Sequence, residues 1–197
     1  MKKILAIILL AALAVSFSAC GSIKIPRQQD TADNGAASAV KNGDDSQNNA
    51  SDANGEKVLD AGDFEITLPE GYHIANEYIP EDSSVNIMIT DKQDNIGISF
   101  IKEKISDFEG TVVTDLDSYL KVQHENVQAD SVGELTEENG LKYFEYQSVN
   151  DGTPFKYFTN AVSDGENYWT IQCFCVADEY DQLKPDFIRW ISSVRFH

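Results

Sequence analysis

The sequence predicts an α+β domain built on a single antiparallel sheet, its C-terminal part a four-strand meander, with helices packed on the sheet's faces. Three observations carry this expectation. Asn139-Gly140, Asp151-Gly152 and Asp164-Gly165 stand 12 and 13 residues apart, and such pairs supply the two positive-φ positions of a type I′ hairpin turn. The segments between them are rich in aromatic and β-branched residues, as strands are. Two further segments, one before the turns and one after them, repeat apolar residues at helical spacing.

Taken in order, Phe64-Glu65-Ile66-Thr67-Leu68 alternates as a half-buried strand does and ends in the turn Pro69-Glu70-Gly71. Residues 85–90 and 96–102 read as a hairpin about Asp91–Asn95. Thr114 caps a helix that has Asp115 and Asp117 in its positive first turn and Leu116, Tyr119, Leu120 and Val127 near one face. After a short strand near 131–136 come three long runs, 141–149, 155–162 and 168–176. The last is apolar on both faces in part, so both sides of the sheet should be covered there. A closing helix carries Phe187, Ile188, Trp190, Ile191 and Val194 at helical spacing, with Pro185 in its first turn. Ser193-Val194-Arg195-Phe196 adds an end strand.

Phe64-x-Ile66-x-Leu68-Pro69-x-Gly71-Tyr72, the helix, the meander and the terminal Ile191-Ser192-Ser193-Val194-Arg195-Phe196 resemble the PsbP-like superfamily, which includes DcrB-type bacterial lipoproteins. The resemblance spans nearly all of 57–197. It implies one antiparallel sheet with helices on both faces, and an adaptor or binding domain without a common catalytic site. No ligand residue carries over from it. A two-layer cystatin-like or nuclear-transport-factor-like α+β domain is the competing fold.

The amino terminus sets an address. Met1-Lys2-Lys3 is followed by twelve apolar residues, 4–15, and then by Phe17-Ser18-Ala19-Cys20. A positive start, an apolar stretch and small residues before a cut make a secretory signal peptide. The last four residues resemble a bacterial lipobox, in which the cysteine thiol receives a diacylglycerol, cleavage falls just before it, and the new amino terminus is often acylated with a fatty acid such as palmitate. Residues 1–19 are then the signal peptide and Cys20 the lipidation site. An uncleaved span over 4–19 would reach about 24 Å at ~1.5 Å per residue, short of a hydrocarbon core of ~30 Å.

Residues 21–56 contain no aromatic residue and consist almost throughout of small and polar ones. With the lipidated Cys20 they form segment 20–56, a disordered polar tether, because such a composition buries too little apolar area to offset its ordering entropy. As a flexible coil it has a mean reach of ~30–36 Å. Residues 57–197 form the globular domain. Ser22 stands where some lipoproteins carry an aspartate that retains them at an inner membrane. The long tether suits a thick wall, so the expected location is the outer face of the cytoplasmic membrane in a Gram-positive-type envelope.

The chain carries a net charge of −18. A phosphate backbone repels such a surface and no basic stripe is visible, so nucleic acid is excluded as a partner. Of that charge the domain holds −17, from 10 basic and 27 acidic residues. Anionic lipid heads repel it too, so acyl chains and not the protein surface must hold it to the membrane.

Catalytic and metal motifs are scarce. His73, His124 and His197 are scattered, and His124-Glu125 lacks a second histidine one helical turn away. No Gly-x-Ser-x-Gly elbow, phosphate loop or Gly-x-Gly-x-x-Gly occurs. Cys173-Phe174-Cys175 places two thiols on one face of a strand, too far apart for an unstrained disulfide. Buried free thiols, a strained disulfide and a soft-metal site all remain open. Asp91-Lys92-Gln93-Asp94-Asn95 has too few carboxylates in register for an EF-hand calcium loop. The sequence therefore names no catalytic residue, no metal and no cofactor. It points to a lipid-anchored binding or adaptor module whose partner is an envelope protein, a wall component or a small ligand. The alternatives are a hydrolase of envelope polymers and a structural accessory subunit of a membrane complex.

Overall fold

Every strand of the domain pairs antiparallel to its neighbours, in two sheets that share one core. The computed structural model describes residues 55–93 and 95–197. The expected signal peptide (1–19), Cys20 and all but the last two residues of the expected tether (20–56) lie outside the described residues.

Strand β1 (Glu56–Asp60) pairs with β2 (Phe64–Pro69). β3 (His73–Ile74) pairs with β4 (Ile87–Thr90), and β4 forms the expected hairpin with β5 (Ile96–Lys104). Helix α1 (Leu116–Asn126) leads to two short strands, β6 (Ser131–Val132) and β7 (Thr136–Glu138). The long strands follow: β8 (Leu141–Asn150), β9 (Thr153–Ser163) and β10 (Asn167–Val176). Helix α2 (Tyr180–Ser192) and β11 (Arg195–Phe196) close the chain.

The main sheet has eight strands in the order β3-β4-β5-β10-β9-β8-β6, with β7 also paired to β8. The second has three, in the order β1-β2-β11. The expectation of a single sheet is thus corrected. The meander is present, but β10 pairs with β5 over nine residues and joins it to the first hairpin. Phe64 and Glu65 of β2 pair with the last residues of the chain instead of with the main sheet. Sequence periodicity marks a strand and does not say which sheet it enters.

The layers follow from strand parity. On β10, Trp169, Ile171, Cys173 and Cys175 point to one side and are buried with Phe64, Ile66 and Leu68 of β2 and Phe187, Trp190 and Ile191 of α2. Tyr168 points to the other side and packs with Tyr119 and Leu120 of α1 and Phe144, Tyr146 and Tyr157 of β8 and β9. The main sheet is therefore covered by α1 on one face and by α2 with the small sheet on the other, which accounts for β10 being apolar on both faces.

Local chemistry sets the ends of the elements. Asn139 and Gly140 have φ of 53° and 79°, and Asp151 and Gly152 have 49° and 81°, as two type I′ turns require. The third turn differs from expectation, because Gly165 is at positive φ but Asp164 is not. Here Asp164 works as a side-chain knot instead. Its carboxylate accepts from the backbone N–H of Glu166 at 2.8 Å and of Asn167 at 2.7 Å, from Asn167 Nδ2 at 2.9 Å and from the indole of Trp169 at 2.8 Å.

The caps also move. The N-cap of α1 is Asp115 and not Thr114, because Ser118 stands three residues on and completes a reciprocal capping box. Helix α2 begins at Tyr180, so Pro185 lies inside it and not in its first turn. Burial of Tyr180 against the sheet holds the added helical residues, and the carbonyl that the proline leaves unbonded, that of Asp181, belongs to an exposed residue.

Candidate functional site

A charged cluster stands where α2 crosses β8 and β9. Glu145 shares its face of β8 with Tyr143, and Lys156 shares its face of β9 with Phe158, so both reach toward α2. Lys156 Nζ lies 3.1 Å from Glu145 Oε2, and Lys184 Nζ comes down from α2 to within 2.6 Å of Glu145 Oε1. One carboxylate thereby bridges two ammonium groups, one from the sheet and one from the helix. Both lysines also lie over aromatic faces, Lys156 at 4.1 Å from the Tyr180 ring centre and Lys184 at 4.9 Å from that of Tyr143.

The electrostatics follow from these contacts. Burial pushes the Glu145 carboxyl up, but hydrogen bonds from Lys184 and Lys156 outweigh it and hold the group below the usual carboxylate range. For Lys184 burial pulls the ammonium down, and its hydrogen bonds to Glu145 and Tyr143 outweigh that and raise it above the usual lysine range. A lysine held this way is a charged donor near neutrality and neither a base nor a nucleophile.

Beside the cluster opens a cleft of about 300 Å³ lined by Glu138, Asn139, Asp181, Lys184, Pro185 and Ile188. The Asn139-Gly140 turn forms one wall and the first half of α2 the other. The Glu138 carboxylate accepts from Tyr143 Oη at 3.0 Å, which fixes it at the rim. On the opposite rim Asp181 is almost fully exposed, its carboxylate 3.8 Å from Lys156 Nζ. Pro185 and Ile188 supply the apolar lining. The cleft and cluster together hold three carboxylates and two ammonium groups, an anionic site with an apolar strip.

The histidines are not brought together. His73 is exposed on β3 opposite Thr90. His124 has Nε2 at 2.8 Å from the carbonyl of Gly133 and its ring edge-on to Phe144, tying α1 to the loop before β7. His197 Nε2 lies 3.8 Å from Asp60 Oδ1. Cys173 and Cys175 are both fully buried and are not joined in a disulfide. Burial pushes the Cys175 thiol up to about 11, and that of Cys173 beyond it, so neither is reactive near neutrality. No cluster of three His, Cys, Asp or Glu side chains suited to a metal ion occurs among the described residues. Cys20 lies outside them.

Sequence reasoning missed Glu145, Lys156 and Lys184. A signal was available. Glu145 and Lys156 stand on the face of β8 and β9 that also carries Tyr143 and Phe158, and a charge on a covered face must find a partner.

No family model matches the chain, and no curated protein matches it. Solved structures give similar chains at low identity. A cyanobacterial PsbP from Synechocystis is 16% identical over 82% of this chain and 98% of its own, with a TM-score of 0.44. A protein from Bacteroides thetaiotaomicron is 13% identical over 68% of this chain and 45% of its own, with a TM-score of 0.44. LpqN of Mycobacterium tuberculosis, described as involved in cell envelope biogenesis, is 14% identical over 71% of this chain and 88% of its own, with a TM-score of 0.41. At these TM-scores the likenesses carry no functional inference.

Proposed function

We propose that this chain is a lipid-anchored extracytoplasmic binding or adaptor protein of the bacterial cell envelope, held through Cys20 at the outer face of the cytoplasmic membrane. Phe17-Ser18-Ala19-Cys20, placed after a positive start and an apolar run and before a polar spacer, is the observation that carries this reading. A diacylglyceryl cysteine with an added acyl chain meets the two-signal requirement for stable anchoring, where a single chain holds only marginally. Among the described residues no helix is long and apolar enough to cross a membrane. The proposed task is binding, and Lys184, held by Glu145 as a charged donor, supports it.

Membrane fractionation tests the anchor. Wild-type chain should sediment with membranes, and Cys20→Ser should appear in the soluble fraction or persist as uncut precursor. A Cys20→Ser chain that is cut and stays with membranes like wild type would contradict the proposal.

A further inference from the structure

We propose that Asn139, at the tip of the turn between β7 and β8, is a site of spontaneous deamidation that takes water as its co-substrate and remodels the wall of the cleft facing α2. Two observations meet at this residue. Its side chain is exposed and makes no hydrogen bond among the described residues, whereas every other asparagine there has its side chain tied. Asn86 Oδ1, for example, accepts from the Lys102 N–H at 2.7 Å, and Asn160 Nδ2 donates to the Lys142 carbonyl at 2.6 Å. The residue that follows Asn139 is Gly140, whose N–H also lacks a partner among the described residues. With no side chain on Gly140 and open space where a Cβ would point, nothing crowds its nitrogen. An unheld amide and an unhindered nucleophile thus stand side by side on an exposed turn.

The Gly140 nitrogen attacks Asn139 Cγ. The N–Cγ bond forms, the Cγ–Nδ2 bond breaks, and Nδ2 leaves as ammonia with the proton of the Gly140 N–H. Water then opens the resulting cyclic imide at either carbonyl, and no oxidant or reductant takes part. Opening at Cγ leaves aspartate with the backbone intact. Opening at the backbone carbonyl leaves isoaspartate, whose main chain runs through Cγ and is longer by a carbon atom. The turn tells the two products apart. Aspartate fits, because Asp151 stands at φ 49° in the same position of the other type I′ turn, close to the 53° of Asn139. Isoaspartate lengthens a loop whose register depends on its length, so it displaces the pairing of Glu138 with Leu141 and the hold of Glu138 on Tyr143 Oη. Strand β7 is short and exposed throughout, so little resists its release. Either product adds a negative charge to a lining that already holds Glu138 and Asp181.

Timed incubation of the full-length chain in zwitterionic detergent micelles at mildly alkaline pH, followed by peptide mass mapping that separates aspartate from isoaspartate, tests this. Asn42-Gly43, the same dipeptide outside the described residues, is the internal reference. Asn139 should convert within about tenfold of the rate of Asn42, while Asn126 and Asn150, whose side chains are tied, stay amides over the same time. An Asn139 that remains an amide after Asn42 has converted would overturn the proposal, as would conversion of Asn126 and Asn150 at the rate of Asn139. Amide exchange followed by two-dimensional NMR reads the remodelling. Chains carrying isoaspartate should lose protection at residues 136–138 and 141–143, and the Asn139→Asp variant should keep it. Protection kept in the isoaspartate chains, or lost equally in Asn139→Asp, would contradict the assignment of the two products to the turn. The anchor at Cys20 is read by fractionation, so either idea can fail without the other.

Discussion

Two glycines do different work, and the difference decides what replaces them. At Gly97 on β5 a Cβ would lie 2.1 Å from Phe174 Cζ, because the Phe174 ring lies directly over the glycine in the paired strand β10. Tyr157 and Tyr146 continue that row across β9 and β8, their rings stacked at 4.4 Å. Gly97→Ala should therefore destabilise the domain by ~1–3 kcal/mol through overpacking. Adding Phe174→Leu should recover part of the loss, as urea unfolding would show; a double variant no more stable than Gly97→Ala would refute the packing explanation. Asp164 is a residue on which a turn depends. Burial pushes its carboxyl up, but hydrogen bonds from Trp169 and Asn167 prevail and hold it at about 2, below its ordinary 3.8. A carboxylate lowered on folding contributes stability that is present above its ordinary value and lost as the pH falls through the folded one. Asp164→Ala should leave the buried Trp169 indole without its acceptor, at a cost of ~1–3 kcal/mol near neutrality. The deficit should shrink between about pH 4 and about pH 2. A deficit independent of pH over that window would show that the charge of Asp164 is not what holds the turn.

Among the elements, the hairpin turns give the sharpest comparison. Gly152 has φ of 81° and open space where a Cβ would point, so its requirement is conformational alone. Gly152→Val should cost ~1–2 kcal/mol by equilibrium unfolding, since a β-branched residue is strained at positive φ. A neutral substitution would place the turn outside type I′. The two type I′ turns, the long strands and both helices were legible because each is written locally, in a dipeptide or a period. The α1 cap was misplaced at Thr114 although its signal is local, the Asp115-x-x-Ser118 box. The rest of what was not legible depends on contacts between distant segments. Pro185 marked a helix start until Tyr180 was seen buried ahead of it. β2 alternates as any strand does, and its placement beside β11 in a second sheet is decided by docking at the end of the chain. The Glu145 cluster was hidden for the same reason, since Lys184 reaches it from an element 39 residues further on.

At the scale of the whole molecule, the domain is a covered sheet whose basic side chains are mostly matched locally. Lys57 pairs with Glu70, Lys102 with Asp63, Lys142 with Asp117 and Arg189 with Glu56 and Asp186. The remaining carboxylates give the surface its sign, which opposes an anionic bilayer, so the proposed envelope location needs an anchor at the amino terminus. Lipid attachment at Cys20 is thus the claim on which the envelope reading stands, and intact-mass analysis of the mature chain extracted from membranes tests it most directly. The expected result is a chain that begins at Cys20 and is heavier than its sequence by a diacylglyceryl group, with or without a further acyl chain. A mature chain that retains an unmodified Cys20, or that begins at another residue, would contradict it.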